Sequence, residues 1–404
     1  MISIQKQKVV IIGHGSTSRL SLIRAVAELG CDVTVIVMTY FYPLTKKLNT
    51  LKPFDCYSKY VSHVYYCYRT DGEGLIQMLL GKCTDPDQKV IILPSSDFSA
   101  ATIDKNKERL SAHFLFPQIT KQSEFVCDWM DKQRQKRLAR EIGLNVPKAH
   151  VVDIQNQIYT LPEGITYPCF TKALATLVGG KQCFNRCNDR EELCRALDSI
   201  GAKQDAQILV EDFKEIEKEY AILGFSDGKD VIIPGIIHLL TQSSSHFGIA
   251  RTGEITPIAG YEPLLEQFKE FVRRMGFVGL FDIDFYYSEN QFYFGEMNLR
   301  FGGSGYAVTR SGVNLPAMLV RYLRGEEISG MQMQINTTAT YVNESMCEDD
   351  WYRGLISSTE YRHILSSSDI SFVRDDEDPK PQQIFTRRHK ILPIKKMLRK
   401  LLYR

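Results

Sequence analysis

The residues best suited to chemistry lie in one stretch, residues 279–305, with the sequence GLFDIDFYYSENQFYFGEMNLRFGGSG. The alternation of aromatic and small residues predicts two strands joined by a turn at Ser288–Asn290. Asp284 lies on the first strand, and Glu296 and Asn298, two residues apart, share one face of the second. Pairing across the turn would bring the three side chains together. Two carboxylates and an amide oxygen form the hard oxygen site that Mg²⁺ prefers beside nucleotide phosphates.

Two neighbouring residues belong to the same predicted face. Asp282 lies one pleat before Asp284 and competes with it for the role of first metal ligand. Arg300 offers a planar cation for phosphate or carboxylate oxygens. The alternative interpretation is a surface hairpin with solvated charges. The aromatic strand around Glu296 should be largely buried, and buried carboxylates need partners, so the pattern favours the metal site.

A second basic element precedes this hairpin in the chain. Lys172 ends a predicted strand, Tyr167–Lys172, and is followed by a loop that contains Gly179, Gly180 and Lys181. A lysine at a strand end supplies positive charge, and the backbone N–H groups of a glycine-bearing loop can wrap phosphate oxygens. Lys172 and Lys181 are therefore candidates for phosphate binding.

The segment from Glu296 to Arg300, with its glycine-rich exit at 302–305, resembles the ATP-grasp ligases. In that family two acids and an Asn on this hairpin hold Mg²⁺ against ATP phosphates. The spacing from Asp284 to Glu296 is similar to that of the biotin carboxylase branch, and the chain also resembles D-aspartate ligases and the carbamoyl-phosphate synthase large subunit. The resemblance implies ATP and Mg²⁺, or Mn²⁺ in its place, as cofactors.

The resemblance also assigns roles to single residues. Lys132, in an Asp-Lys motif inside a helix predicted from Glu124 to Glu141, is implied to reach ATP phosphates, and Lys172 the α- and β-phosphates. Glu219 is implied to contact ribose or metal, and Arg300 and Lys172 to act in catalysis. The whole implied ATP-binding set is Lys132, Lys172, Lys181, Glu211, Asp212, Phe213 and Glu219, of which residues 211–213 border the adenine.

Substrate contacts are predicted at three further residues. Gly303 and Ser304 follow Arg300, and glycines let the backbone approach a ligand closely. The resemblance implies that this stretch holds the acyl phosphate or the acceptor. Asp97 follows a predicted strand, Lys89–Leu93, whose carboxyl end is where open α/β sheets bind ligands. Asp97 would serve equally well as a helix N-cap, and both interpretations stay open.

The N-terminal stretch predicts a βαβ unit, with strands at Lys8–Ile12 and Asp32–Met38. The intervening Gly13-x-Gly15 turn could cradle phosphate. The third glycine of a dinucleotide fingerprint is replaced by Ser18, and no acid ends the second strand. We therefore interpret the turn as structural, with a contact to substrate, and keep an NAD(P)-dependent oxidoreductase as the lower alternative.

The predicted fold class is α/β and α+β. Residues 1–118 are expected to form a Rossmann-like parallel-sheet domain and residues 119–325 an ATP-grasp domain of two α+β lobes, with the lid lobe at about 150–212. Residues 326–404 form a C-terminal extension that ends in a basic amphipathic helix, 387–404. That helix either docks on protein or lies on an anionic membrane surface, giving a peripheral membrane contact.

Composition narrows the class of protein. The net charge of +2 gives no reason to expect nucleic-acid binding. The ten cysteines are scattered singly, which indicates reduced thiols in the cytoplasm rather than a zinc site. No stretch has the pattern of a signal peptide or the length of a membrane span.

These observations predict an ATP-dependent carboxylate–amine ligase. Such an enzyme activates a small-molecule carboxylate as an acyl phosphate and joins it to an amine, releasing ADP and phosphate. Amino-acid ligation in cell-wall or envelope metabolism is an analogy with the ligases that the chain resembles. The alternative is a non-catalytic ATP-binding regulatory protein. Because members of the family often dimerise, the resemblance also implies a homodimer.

Overall fold

The computed structural model describes residues 6–39, 52–68, 70–118, 120–174, 183–244 and 249–387. Three sheets organise these residues: a parallel sheet of five strands and two largely antiparallel sheets of four and eight. The predicted mixed fold class is confirmed. The domain boundaries at 118 and 325 stay predictions. The basic helix predicted at 387–404 lies, apart from Arg387, outside the described residues.

The parallel sheet comes first in the chain and has the order β3-β2-β1-β4-β5. From Val9 to Ile12 its central strand is apolar and buried, as expected for a strand covered by helices on both faces. The strands are β1 (Lys8–Gly13), β2 (Asp32–Thr39), β3 (Val61–Tyr68), β4 (Val90–Pro94) and β5 (Phe114–Leu115). The helices are Thr17–Ala27, the 3₁₀ helix Phe54–Tyr57, Gly72–Lys82, Asp97–Lys105 and Lys107–Leu110. Because β1 and β4 pair in parallel, the loops that follow them meet at one edge.

The four-stranded sheet has the order β6-β9-β7-β8, and every neighbouring pair is antiparallel. One face is covered by the helix Arg190–Gly201, which buries Leu193, Leu197 and Ile200 at helical spacing. The strands are β6 (Ala149–Ile154), β7 (Cys169–Ala173), β8 (Asn185–Cys187) and β9 (Ala206–Asp212). This sheet lies within the residues predicted to form the lid lobe.

The eight-stranded sheet has the order β15-β14-β10-β12-β13-β16-β17, with β11 paired to β10. Its strands are β10 (Lys218–Asp227), β11 (Val231–Ile232), β12 (Ile236–Gln242), β13 (Ala250–Thr256), β14 (Val278–Ser288), β15 (Gln291–Asn298), β16 (Ala339–Val342) and β17 (Ile370–Ser371). The helices around it are Phe125–Trp129, Lys132–Glu141, Glu262–Met275, Gly305–Arg310, Leu315–Leu323, Glu344–Tyr352 and Ser358–Ser367. Apolar residues of the parallel sheet and of this sheet share one core.

The chain after β17 returns to the first helix. Arg24 of that helix donates from Nε to Asp378 Oδ2 at 3.1 Å and from Nη2 to the Val373 carbonyl at 3.0 Å. The other Asp378 oxygen accepts from the Lys59 backbone N–H at 2.9 Å. Both charged side chains are buried. A buried ion pair with its remaining polar atoms hydrogen-bonded fixes the C-terminal segment against the parallel-sheet layer.

A β-bulge at Gly295 sets which side chains of β15 face outward. Phe285 pairs with Phe294, whereas Asp284 pairs with Glu296, so Gly295 is the extra residue. The bulge shifts the alternation by one residue. Phe294 and Met297 therefore both reach the core, and Glu296 between them points away from it. A Cβ on Gly295 would lie 2.8 Å from the Asp284 carbonyl oxygen.

The helix Lys132–Glu141 is fastened to this strand by one buried amide. Gln135 donates to the Met297 carbonyl at 2.9 Å and accepts from the Met297 N–H at 2.8 Å. Its Nε2 also donates to the Trp129 carbonyl at 2.6 Å. Because Met297 lies between Glu296 and Asn298, this contact fixes the helix beside both predicted metal ligands.

Within the described residues, no helix combines the length and apolar character needed to cross a bilayer. All ten cysteines fall within those residues and all are free thiols.

The bulge generates a stability prediction. Gly295→Ala places a Cβ against backbone that cannot move aside, so we expect a loss of about 1–3 kcal/mol and a fall of several degrees in Tm. The matched control is Gly81→Ala, a helical site where a Cβ meets nothing within 4 Å, and its Tm should stay level or rise. Differential scanning fluorimetry compares the two. Equal Tm values would contradict a steric requirement for glycine at the bulge.

Candidate functional site

A cavity of about 770 Å³ lies between the strand ends of the parallel sheet and the eight-stranded sheet. One wall carries acidic and amide side chains of the β14–β15 hairpin together with Arg300. The opposite wall consists of Ser16–Ser18 and Ser95–Asp97, from the loops and helix starts after β1 and β4. Gly303 and Ser304 also border the cavity. Its volume is in the range that holds small-molecule ligands.

The hairpin brings the predicted metal ligands together. Asp284 is directly opposite Glu296 and Asp282 is opposite Asn298, and all four line the cavity. Asn298 Nδ2 donates to Asp284 Oδ2 at 3.2 Å. The pairing predicted from the turn is therefore present, and Asp282 shares the face as expected.

Carboxylates crowd this wall and repel one another. Burial raises the pKa of Asp282 to about 6, although Arg300 opposes the shift. Burial raises the pKa of Asp284 well above its usual value, and the negative charges of Asp282 and Glu296 raise it further. Its side chain is nevertheless open to the cavity. A divalent cation would relieve this repulsion, and the oxygen donors suit Mg²⁺.

The protein alone does not offer a complete cage for a metal. In the part of the chain that the structure describes, no three His, Cys, Asp or Glu side chains converge closely enough to hold an ion. The predicted set of Asp284, Glu296 and Asn298 has two carboxylates and one amide. It is the incomplete kind of site that Mg²⁺ shares with phosphate oxygens of a substrate.

Glu296 already has a cationic partner. Lys132 Nζ lies 2.8 Å from Glu296 Oε2, and the lysine is largely buried. Burial opposes the ionisation of Glu296, but Lys132 and Lys172 outweigh it and lower its pKa. Lys132 is the first residue of its helix because Asp131 caps that end, accepting from the Arg134 N–H at 2.9 Å. The structure thus places Lys132 of the Asp-Lys motif against Glu296, which lines the cavity.

Lys172 belongs to a buried cluster with two other charged residues. Lys172 Nζ lies 2.8 Å from Glu211 Oε2, and Lys136 Nζ lies 2.7 Å from Glu211 Oε1. Burial favours the neutral acid, yet the two lysines prevail and lower the pKa of Glu211 to about 2. Burial and then the charge of Lys172 lower the pKa of Lys136 to about 8.

In the rest of the predicted adenine strand, two backbone N–H groups already have hydrogen-bond partners within the protein. The N–H of Asp212 donates to the Lys148 carbonyl and that of Phe213 to the Pro168 carbonyl, at 2.9 and 3.0 Å. An adenine would therefore have to contact other backbone groups of this stretch. The adenine role of residues 211–213 stays a prediction.

Glu219, on β10, accepts a hydrogen bond from Gln242 of β12. Burial raises its pKa, and its charge contributes to the raised pKa of Asp284. Glu219 is thus near the acidic wall, as a ribose or metal contact requires. Its role stays a prediction.

Arg300 joins the two walls of the cavity. Its Nε donates to Asp97 Oδ1 at 3.0 Å, and its Nη1 donates to the Phe301 carbonyl at 3.3 Å. Asp97 is the first residue of its helix, and Ser96 is the N-cap. Because Ser96 fills the N-cap position, the N-cap interpretation of Asp97 is wrong. Its carboxylate borders the cavity and orients Arg300, and its contact with substrate stays a prediction.

Two site residues were missed by sequence reasoning: Lys136 and Gln135. With Lys132, they fall at i, i+3 and i+4 of one helix face. The sequence did contain a signal for them. Leu138 and Ala139 are apolar and lie beside these residues on the helix, which indicates that this side of the helix is buried. Of the predicted phosphate ligands, Lys181 lies outside the described residues.

Comparison with known proteins gives relatives of one kind. No protein-family model matches the chain. Over 204 residues, 49% of the chain, it is 24% identical to the carbamoyl phosphate synthase large chain of Gemmatimonas aurantiaca. The match covers 18% of that protein, so the chain corresponds to less than a fifth of this relative's length.

Solved structures share the fold over most of the chain. The L-amino acid ligase from Bacillus licheniformis has a TM-score of 0.61 at 18% identity, covering 83% of this chain and 79% of its own. The biotin carboxylase domain of the Hydrogenobacter thermophilus 2-oxoglutarate carboxylase, solved with MgADP, ADP and bicarbonate, has a TM-score of 0.62 at 19% identity, covering 83% and 74%. The chain is thus similar in sequence to a carbamoyl phosphate synthase large chain over about half its length, and it shares its fold with these two solved structures over most of its length.

Proposed function

We propose that the protein is an ATP-dependent carboxylate–amine ligase. One observation carries the proposal: a two-carboxylate and amide set on β14–β15 faces the same cavity as Arg300, and the buried Lys132 pairs with Glu296 of that set. Phosphoryl transfer needs charge neutralisation and positioning more than covalent chemistry, and these groups supply both.

The acidic and the basic residues of the site have different proposed roles. Asp284, Glu296 and Asn298 would hold Mg²⁺, which when bound neutralises phosphate charge. Lys132 and Lys172 would bind phosphate oxygens.

Arg300, oriented by Asp97, would neutralise the charge that builds on the transferred phosphoryl group and on the acyl oxygen. The substrate carboxylate attacks the γ-phosphate, and ADP leaves. An amine then attacks the acyl phosphate, phosphate departs, and the amine loses a proton.

The backbone at Gly303 and the hydroxyl of Ser304 border the cavity beside Arg300, which supports a contact with the acyl group. We propose amino acids or similar small molecules as substrates. The likeness to the Bacillus licheniformis L-amino acid ligase supports this class. A homodimer and amino-acid ligation in envelope metabolism stay predictions.

The N-terminal turn favours a structural role over NAD(P) binding. A Cβ on Gly15 would lie 2.3 Å from Pro53 Cβ, so this glycine is required by packing against the 3₁₀ segment. The absence of one of the three predicted metal ligands would favour the non-catalytic alternative. Asp284, Glu296 and Asn298 are instead all present and adjacent.

The test is release of ADP and phosphate from Mg-ATP while pools of amino acids and small carboxylates are added in turn. We expect release that depends on one carboxylate together with one amine, and mass spectrometry should find the amide product. Tight Mg-ATP binding with no release in any pool would instead favour the regulatory alternative. Thermal stabilisation by NAD⁺ but not by Mg-ATP would favour the oxidoreductase.

Removal of one metal-facing charge should stop turnover. Glu296→Gln keeps the side-chain shape, and we expect turnover to fall by on the order of 10²-fold or more because phosphate charge is no longer neutralised. Circular dichroism should show an unchanged fold. Normal turnover at ordinary Mg²⁺ concentrations would refute the metal assignment.

A matched pair of variants distinguishes the two competing aspartates. If Asp284 is the ligand, Asp284→Asn should raise the Mg²⁺ concentration needed for half-maximal turnover by about tenfold or more, and Asp282→Asn should raise it less. Mg²⁺ titration of steady-state turnover measures both. The reverse order would assign the ligand to Asp282.

A further inference from the structure

The cluster of Lys136, Glu211 and Lys172 holds one positive charge more than it holds negative charge. Each Glu211 oxygen has its own lysine, at 2.7 and 2.8 Å. Burying an excess charge is costly, so the arrangement is suited to a site that receives an anion.

The two lysines differ in their access to a ligand. The side chain of Lys172 is 13% exposed, whereas that of Lys136 is 2% exposed. Lys172 also feels the negative charges of Glu296 and Asp284, on the acidic wall of the cavity. Lys172 is therefore the lysine that can turn toward phosphates, and Lys136 is confined to Glu211.

If Lys172 moved away from Glu211, this buried carboxylate would have no cationic partner unless a second cation stayed beside it. A buried carboxylate that loses its partner is strongly unfavourable. Lys136 supplies the cation that remains. Its helix is fixed by Gln135, so the lysine keeps its place when Lys172 moves.

We propose that Lys136 is a positioning residue that neutralises Glu211 and so allows Lys172 to exchange this carboxylate for nucleotide phosphates. The inference rests on the proposed function, because it requires that the site bind ATP. Lys136 itself contacts neither the nucleotide nor the reacting atoms.

The test compares Mg-ATP binding by calorimetry in the full chain. Lys136→Met removes the charge and keeps an unbranched side chain, so Lys172 should stay on Glu211. We expect the affinity for Mg-ATP to fall by on the order of tenfold, the scale on which outer-shell partners act. The matched control is Arg137→Met, which removes the same charge from an exposed position of the same helix and should leave affinity unchanged.

A second variant separates positioning from a general loss of structure. Lys136→Arg, which keeps the charge, should bind nearly as well as the unchanged protein. If Lys136→Met does not fold, Lys136→Gln takes its place, and an affinity equal to that of Arg137→Met would overturn the proposal.

The outcomes distinguish this inference from the proposed function. No Mg-ATP binding by the unchanged protein would refute the proposed function itself. Binding by that protein, with equal affinity in Lys136→Met and Arg137→Met, would overturn the role of Lys136 alone. A loss of equal size in Lys136→Met and in Lys136→Arg would also overturn it.

Discussion

The candidate site depends on one buried side-chain amide. Gln135 satisfies both backbone groups of Met297, so the helix Lys132–Glu141 and strand β15 cannot shift against each other without exposing unpaired polar groups. Lys132 leaves that helix toward the eight-stranded sheet, and Lys136 toward the four-stranded sheet. A single rigid helix thereby links the acidic wall, through Lys132, to the Glu211 cluster, through Lys136.

Charges in this site are arranged in advance of any ligand. Glu296 is compensated by Lys132, Glu211 by two lysines, and Arg300 by Asp97. The aspartates of β14 have no lysine among the contacts described, and burial, followed by neighbouring carboxylates, raises their pKa values. A site with paired charges stays folded when empty and pays little reorganisation when phosphates and a cation arrive.

Much of this arrangement could be predicted from the sequence because it depends on local periodicity. The strand alternation and the turn at Ser288–Asn290 were sufficient to bring Asp284 to Glu296. The bulge at Gly295 could not be foreseen, because the alternation alone would have sent Glu296 to the same face as Phe294.

Helix ends were less predictable. A continuous helix expected from Glu124 to Glu141 is broken before Asp131, which caps the second piece. Lys136 was missed for a different reason: its partner, Glu211, is 75 residues away (211 − 136) and belongs to another sheet. Long-range pairing of this kind leaves only an indirect trace in a sequence, a charged residue on a face that ought to be apolar.

The contact between Arg24 and Asp378 joins residues 354 apart in the chain. During synthesis, the first helix emerges long before its acceptors exist, so Arg24 must remain hydrated while the sheets form around it. The parallel-sheet layer can therefore reach its final packing only after nearly the whole described chain has been made. This order of events makes the last segment the closing step of folding, and contacts so distant in sequence are expected to make that step slow.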